Sequence, residues 1–238
     1  MSETAADRVL VIGGTRGTGL LIARLLQARG HRVRVLARDA VRAARDLGPA
    51  FDVVAGDLTK PGTLQKAVQD IDHVVFTAGA PSGRYAPERL VRQTDYQGVI
   101  ETIAAARAAH FRGRFLYLNS IGIVTPSLAA TFINLLKRNT LVWRRRVEDD
   151  IRASGIDYTI IRVGFLLDQP GGQRTVVVGQ GTLPLAPRHR IARADVAAAF
   201  VEALHHPRAS RATFEVVWGA GTRQQSWESL LDRLEPDA

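Results

Sequence analysis

The stretch that decides the fold is Arg8-Val9-Leu10-Val11-Ile12-Gly13-Gly14-Thr15-Arg16-Gly17-Thr18-Gly19, followed by an apolar-periodic run from Leu20 to Arg29. The β-branched residues predict a buried strand, the glycines permit a tight turn, and the apolar residues at helical spacing predict a helix. A strand, a glycine loop and a helix in this order present backbone N–H groups and the positive end of a helix dipole to an anion. We therefore interpret the unit as a dinucleotide site, for which a plain glycine turn is the alternative.

The spacing of the glycines indicates which type of dinucleotide-binding loop this stretch forms. Gly13, Gly17 and Gly19 follow the pattern Gly-x-x-x-Gly-x-Gly, which differs from the Gly-x-Gly-x-x-Gly of other dinucleotide-binding proteins. A third form, Gly-x-x-Gly-x-x-Gly, would require glycine at position 16, where this chain has Arg16. The arginine adds a cation beside the expected phosphates.

Length and composition predict one domain, residues 1–238, with residues 163–238 contributing most of a substrate-side cap. The net charge of +9 could suggest nucleic acid, but the basic residues are spread along the chain and form no aromatic-rich platform. We expect no nucleic-acid partner. Because the chain has no cysteine, disulfides, thiolate catalysis and cysteine-ligated metals are excluded.

No apolar run reaches the length of a membrane span, and the first residues contain no signal-peptide core. We therefore expect no membrane association and a cytoplasmic location. The six histidines lack a convincing metal spacing, and His205 and His206 point to different sides if they lie on a helix. We interpret all six as ordinary surface histidines and expect no metal site.

Strands and helices alternate along the chain. This pattern predicts an α/β fold, namely a Rossmann-like, doubly wound, mostly parallel sheet with helices on both faces and a small C-terminal substrate-side segment. The predicted strands are 8–12, 31–37, 51–55, 73–77, 113–118, 156–164 and 213–218, and residues 175–178 and 183–185 predict a hairpin over the site. The predicted helices are 20–29, one starting at 59–61, 88–110, 127–137, 140–154, one opening at 193–197, and 227–234.

Residues at the carboxyl ends of these strands are candidates for ligand contact, because open α/β sheets bind ligands at that edge. Arg38 ends the second strand, where a carboxylate would favour NAD and an arginine can bind a 2′-phosphate. The alternative is a solvated charge, with Asp39 capping the next helix. Ser120 follows the fifth strand and would lie near the nicotinamide, unless its hydroxyl only caps a turn.

Together these features resemble an atypical short-chain dehydrogenase/reductase of the NAD(P)H-binding group that includes the biliverdin reductase B-like and NmrA-like proteins. The resemblance covers the chain from Val9 to about Trp218. It rests on the glycine loop, Gly56-Asp57-Leu58, Trp143-Arg144-Arg145 with Glu148, residues 154–162, and Arg193-Ala194-Asp195-Val196-Ala197. The fold hosts catalysts, redox sensors and scaffold proteins, so the motifs indicate a family more strongly than a reaction.

The resemblance and the two arginines imply NADP(H) as cofactor, preferred over NAD(H), and a small-molecule substrate. Asp57 and Leu58 resemble the pair that reads adenine, and Ala78-Gly79-Ala80 resembles the superfamily's Asn-Ala-Gly. The candidate cofactor-binding residues are Gly13, Thr15, Arg16, Gly17, Thr18, Gly19, Arg38, Asp57, Leu58, Ala78, Gly79, Ala80, Asn119, Arg144 and Val163.

The chain departs from the superfamily at the Tyr-x-x-x-Lys pair, whose tyrosine donates a proton and whose lysine holds the ribose. Counting back from Glu148 puts Arg144 at the lysine position and Thr140 at the tyrosine position. Threonine is no general acid, and Tyr117 and Tyr158 lie inside predicted strands. The candidate catalytic residues are therefore Ser120 and Arg144.

Two hypotheses follow from these residues. The first is an NADPH-dependent reductase that transfers hydride to a small conjugated or carbonyl acceptor, with Ser120 polarising the acceptor. Bilin- or flavin-type rings fit because the resemblance includes such acceptors and they need little help from an acid. The second is a non-catalytic NADP(H)-binding regulatory or redox-sensing protein, which the missing tyrosine favours.

Overall fold

An eight-stranded sheet runs through the residues that the computed structural model describes, 6–80, 87–223 and 225–237. Its strands are β1 Arg8–Ile12, β2 Arg32–Ala37, β3 Phe51–Ala55, β4 His73–Phe76, β5 Arg114–Ser120, β6 Asp157–Val163, β8 Val176–Gly179 and β10 Ala212–Trp218. They lie in the order β3-β2-β1-β4-β5-β6-β10-β8. All neighbours pair in parallel except β8, which pairs antiparallel with β10.

Helices cover both faces of this sheet. They are α1 Gly17–Ala28, α2 Ala40–Leu47, α3 Gln65–Val68, α4 Glu88–Arg92, α5 Gly98–Ala108, α6 Leu128–Leu136, α7 Thr140–Ala153, α8 Arg193–Ala203 and α9 Trp227–Leu231. Successive residues of a strand point to opposite faces, so Val9 and Val11 pack with the apolar side of α1 and α8, whereas Leu10 and Ile12 pack with α3, α5 and α7. The predicted doubly wound α/β fold is confirmed.

The predicted hairpin of residues 175–178 and 183–185 is wrong. Residues of β8 pair with β10 instead and close that edge of the main sheet. Residues 183–185 form no strand; the backbone N–H of Leu183 donates to Glu215 Oε1 at 2.8 Å, and its carbonyl accepts from Gly122. The β-branched run thus fills the open edge of β10, a long-range partner that local spacing does not indicate.

A second small sheet was not predicted from the sequence. It consists of β7 Phe165–Leu167 and β9 Arg190–Ala192, which pair in parallel. Its first strand follows β6 after a single residue, Gly164. A Cβ on this glycine would lie 2.0 Å from the carbonyl oxygen of His189, so only glycine permits this close approach.

The helix predicted over residues 88–110 exists but is interrupted. Between α4 and α5 the chain makes a π-helical turn, Gln93–Gln97, which carries the buried Asp95 inward. Such turns recur at functional sites. The helix predicted from 59–61 is shorter than its pattern suggests, a 3₁₀ turn Pro61–Thr63 followed by α3.

Among the residues that the structure describes, no helix combines the length and apolar character needed to cross a membrane.

Candidate functional site

The glycine loop lies between the end of β1 and the start of α1, and the packing there leaves no room for a Cβ at Gly13 or Gly19. Gly13 has φ +90°, and a Cβ on it would lie 2.7 Å from the backbone nitrogen of Ala78. A Cβ on Gly19 would lie 2.3 Å from the carbonyl oxygen of Gly13. The two glycines therefore allow β1, α1 and the end of β4 to approach one another directly.

The start of α1 fits an anion. In the described part of the chain no side chain caps this helix at Arg16, and its first turn holds no acidic residue. The N–H groups of the first turn have no partner within the helix, because a helix leaves its first N–H groups unpaired. These donors and the helix dipole suit the pyrophosphate of a dinucleotide, and Thr15, Gly17 and Thr18 of the predicted set belong to this loop.

Two exposed arginines stand beside this loop. Within residues 6–80, 87–223 and 225–237, the guanidinium groups of Arg16 and Arg38 form no hydrogen bond or ion pair. Asp39, the residue after Arg38, caps α2 by accepting the backbone N–H of Arg42 at 2.9 Å. The capping role predicted for Asp39 is thus confirmed, and it leaves Arg38 as the charge that ends β2.

Asp57 follows β3 close to Arg38. Burial alone would raise the pKa of Asp57, but hydrogen bonds from Thr59 and the charges of Arg38 and Lys60 outweigh it and lower the pKa. The backbone N–H and the hydroxyl of Thr59 both donate to Asp57 Oδ1 at 2.9 Å. The carboxylate is therefore ionised and fixed in orientation, with Leu58 half-buried next to it.

Asp95 organises the polar groups at the ends of β4 and β5, and the sequence analysis did not identify it. The backbone N–H of Ala80 donates to Asp95 Oδ1 at 2.6 Å, the hydroxyl of Thr140 donates to Oδ2, and Arg144 Nε lies 3.8 Å from Oδ2. The carboxylate is almost fully buried. Its only signal in the sequence is an acidic residue within an otherwise apolar helical face.

Arg144 lies between β5 and the loop after β4. Its Nη1 donates to the carbonyl oxygen of Leu118 at 3.1 Å. A Cβ on Gly79 would lie 2.8 Å from Arg144 Nη2, so the loop of Ala78, Gly79 and Ala80 passes directly over the guanidinium. The structure therefore brings together Arg144, Thr140 and this loop.

Asn119 and Ser120 end β5 beside this cluster. The amide nitrogen of Asn119 donates to Glu148 Oε1 at 2.7 Å, and its Oδ1 is buried with no hydrogen-bond partner among the described residues. Ser120 is half-buried next to Val163 of β6, and its hydroxyl donates to the carbonyl oxygen of Ile121 at 2.9 Å. The O–H must turn away from that carbonyl before it can donate to a ligand.

None of the three tyrosines that the structure describes is placed to act as a proton donor. Burial raises the pKa of Tyr117, which lies inside β5. Burial and a hydrogen bond to Asp237 raise the pKa of Tyr158 to about 12. Burial also raises the pKa of Tyr96, whose ring packs against Trp143. The fourth, Tyr85, lies outside the described residues.

Asp195, part of the Arg193–Ala197 motif, is structural. Its buried carboxylate accepts Trp218 Nε1 and the backbone N–H of Gly172, both at 2.7 Å. These contacts join the start of α8 to β10 and to the loop before β8. The motif therefore supports the family resemblance without contributing to the site.

Comparison with known proteins adds the family context. Residues 13–207 match the model of an NAD(P)H-binding family. An uncharacterized chloroplastic protein of Arabidopsis thaliana is 30% identical over 95% of this chain and 75% of its own length. Sanguinarine reductase of Eschscholzia californica is 27% identical over 98% of both chains. The photosystem II assembly factor Ycf39 of Synechocystis is 27% identical over 90% of this chain and 64% of its own length.

Solved structures share the fold. A Bacillus halodurans protein described as an NAD-dependent epimerase/dehydratase superimposes with a TM-score of 0.81 and 27% identity, covering 96% of this chain and 100% of its own. A Veillonella parvula short-chain dehydrogenase/reductase in complex with NADP gives a TM-score of 0.71 with 18% identity, covering 92% and 99%. Both comparisons agree with the Rossmann-like architecture.

Proposed function

This chain belongs to the NAD(P)H-binding family, and on that premise we propose that it is an NADPH-dependent oxidoreductase. Its acceptor is a small conjugated or carbonyl compound, reduced without the Tyr-x-x-x-Lys acid. The observation that carries the proposal is the pairing of Thr140 and Arg144 with buried Asp95. The positions that would supply a phenol and an ammonium are occupied by groups that release no proton near neutral pH.

A conjugated ring fits such a site because it accepts hydride without an acid at the oxygen. When bound, NADPH supplies that hydride. In this proposal the first turn of α1 holds the cofactor, and the loop of residues 78–80 packs over the Arg144 guanidinium beside it. Arg144, fixed by Leu118 and Asp95, is available to the ribose hydroxyls, and the relation to sanguinarine reductase supports a ring acceptor.

In this proposal Ser120 is the catalytic group that touches the acceptor. Its hydroxyl turns from the carbonyl of Ile121 toward charge that develops on the acceptor. A donor placed where charge accumulates in the transition state contributes about 2.7–4 kcal/mol. Ser120→Ala should therefore lower kcat by about a hundredfold or more on flavin or bilin acceptors while the NADPH Kd stays within twofold of wild type.

The matched controls are Thr140→Ala and Tyr85→Phe, which remove hydroxyls at the expected tyrosine position and at the tyrosine outside the described residues. Both should retain most of the wild-type kcat, measured by loss of NADPH absorbance. If Ser120→Ala turned over at the wild-type rate, the Ser120 hydroxyl would only stabilise a turn and would have no part in catalysis. A large loss in Tyr85→Phe would instead identify a phenol acid.

The preference for NADPH over NADH rests on Arg16 and Arg38. Each charge-assisted phosphate contact contributes about 1.5–3 kcal/mol, so titration calorimetry should find about tenfold or greater preference for NADPH. Arg38→Ala should remove most of that preference, whereas Arg42→Ala, on the next helix, should leave it unchanged. Equal affinities in the wild type would contradict the assignment.

A non-catalytic, NADP(H)-sensing protein is the second candidate. The specific observation in its favour is that Tyr117 and Tyr158 lie inside strands, and Tyr96 packs against Trp143, so none of these three is placed to protonate an acceptor; the similarity to a photosystem II assembly factor agrees with it. The two candidates separate when bound NADPH is offered quinone, flavin, bilin and simple carbonyl acceptors. If none oxidises it, the sensing function takes precedence over the reductase.

A further inference from the structure

Four side chains gather at the edge of the sheet opposite the glycine loop. Asp7 immediately precedes β1, His31 precedes β2, His73 opens β4, and His205 follows α8. Because β1 lies between β2 and β4, Asp7 stands between the two strand-bound histidines, and α8 brings His205 over them. The interpretation of all six histidines as ordinary surface residues is therefore wrong for His31, whose side chain is only 16% exposed, and for His73. It is also wrong for His206, which lies outside this group and is 11% exposed.

Three of these groups have the spacing of a metal site. Asp7 Oδ2 lies 3.0 Å from His205 Nε2 and 3.6 Å from His31 Nδ1. All three ligand atoms lie within 4.8 Å of one another. A tetrahedral zinc ion with bonds of about 2.0–2.1 Å separates its ligand atoms by about 3.3 Å, so the two distances from Asp7 bracket the required value.

His31 carries a polar atom that the protein leaves unsatisfied. Its Nδ1 is buried and has no hydrogen-bond partner among the described residues, although it faces Asp7. A buried nitrogen without a partner costs free energy unless it binds something. His205 is exposed, so its ring can turn toward an ion arriving from solvent.

His73 is close but does not offer a ligand atom. Its Nδ1 accepts the backbone N–H of Arg114 at 3.1 Å, so the ring proton resides on Nε2, which faces Asp7 at 3.9 Å. A nitrogen that carries a proton cannot bind a metal. Its ring instead packs edge-on against that of His205, with centroids 5.1 Å apart, and limits where that ring can lie.

From this arrangement we infer that Asp7 Oδ2, His31 Nδ1 and His205 Nε2 form a zinc site, with solvent as the fourth ligand. Two imidazoles and a carboxylate with tetrahedral spacing are a donor set that Zn²⁺ prefers. The ion would join the starts of β1 and β2 to the end of α8, at the edge of the sheet opposite the glycine loop. Its role is therefore structural, and it is independent of the reductase proposal.

The test is zinc titration of untagged, EDTA-stripped protein by calorimetry, with thermal unfolding followed in parallel. We expect saturable binding of one Zn²⁺ per chain and a rise in Tm at saturating zinc. Substituting Co²⁺ should give the visible absorption of a tetrahedral site. His31→Gln and His205→Gln should each weaken zinc binding by about tenfold or more.

The control variants are His110→Gln, an exposed histidine outside the group of three candidate ligands, and His206→Gln, the neighbour of His205, whose Nε2 faces Asp232 instead. Both should bind zinc as the wild type does. No saturable binding in the wild type would overturn the inference, as would unchanged affinity in His205→Gln. His205 is exposed, so that variant should fold normally even if His31→Gln does not.

Discussion

Helix α7 presents polar side chains at four-residue intervals, and its two halves use them in opposite ways. Thr140 and Arg144, in the first half, turn toward the ends of β4 and β5, where Arg144 keeps 18% of its side chain exposed and its ion pair with Asp95 is long. Glu148 and Arg152, in the second half, turn toward β6 and β10, and the Glu148 side chain is only 2% exposed.

The partners explain the difference. In the second half Glu148 and Arg152 are paired within the protein: Arg162 donates to Glu148 through Nε at 2.8 Å and Nη2 at 2.5 Å, and Arg152 donates to Glu148 and Asp237. In the first half the groups pair incompletely and border the loop of residues 78–80. One face of one helix thus changes from incompletely paired groups to a buried, paired network along its length.

The largest expected effect on stability comes from removing Glu148, in the second half of α7. Glu148→Ala would leave the Arg162 guanidinium and the Asn119 amide buried without their partner. Removing one member of a buried ion pair costs about 3–5 kcal/mol, and the free energy of unfolding in urea should fall by that amount. The matched control is Asp149→Ala, one residue along, whose side chain is 70% exposed and whose loss should cost under about 1 kcal/mol. Similar losses in both variants would contradict the comparison.

The next effect should appear in binding rather than stability. Arg144→Ala removes the cation beside the loop of residues 78–80. NADPH affinity, measured by fluorescence titration, should weaken by about 1.5–3 kcal/mol, at least tenfold. Stability should fall less than in Glu148→Ala, because Asp95 keeps its donors Ala80 and Thr140. Arg145→Ala, an exposed neighbour, is the control. Unchanged NADPH affinity in Arg144→Ala would mean that both halves of α7 serve only the stability of the fold.

The sequence predicted the first half of α7 better than the second. The count back from Glu148 identified Arg144 and Thr140 because both belong to a local, four-residue spacing. The Glu148–Arg162 pair and the burial of Asp95 depend on which strand lies under the helix, and no local pattern encodes that. In the run Arg144-Arg145-Arg146 only the first side chain turns inward, and Arg145 and Arg146 are exposed.

The same distinction holds for the fold. The six parallel strands from β1 to β6 and the glycine loop were predicted, since each has its own periodicity and turn residues. The pairing of β8 with β10 and the small parallel sheet were not, because each requires a partner far away in the chain. The histidines near Asp7 were misjudged for the same reason: strand order, not spacing, brings them together.

The smallest expected effect concerns Asp237, which accepts a hydrogen bond from Arg152 near the C-terminal end of α7. Burial alone would raise the pKa of Asp237, but hydrogen bonds from Thr213, Arg152 and Tyr158 outweigh it and lower the pKa below the ordinary value of 3.8. A lowered carboxylate pKa adds stability above the unfolded pKa, and that stability is lost as the pH falls through the folded pKa. Asp237→Asn should cost about 1 kcal/mol at pH 7.

The pH dependence of the stability difference distinguishes the contribution of the Asp237 charge from that of its hydrogen-bond geometry. The difference between Asp237→Asn and wild type, from urea unfolding, should shrink steadily below about pH 4, because the wild-type carboxyl then becomes neutral too. Asp232→Asn, at an exposed position, serves as the control. A difference that stays constant down to pH 3 would show that geometry, and not charge, holds Asp237 to Arg152.

The π-helical turn Gln93–Gln97 determines how this part of the chain tolerates insertions and deletions. In an α-helix each four-residue step overshoots a full turn by about 40°. The wider π turn absorbs that drift, so Val91, Asp95 and Val99 all lie on the buried face. Deleting one codon within the turn would rotate the downstream helix by about 100° relative to Val91. Such a deletion changes the register between the site and the core, and it would be far more damaging than the same deletion in a surface loop.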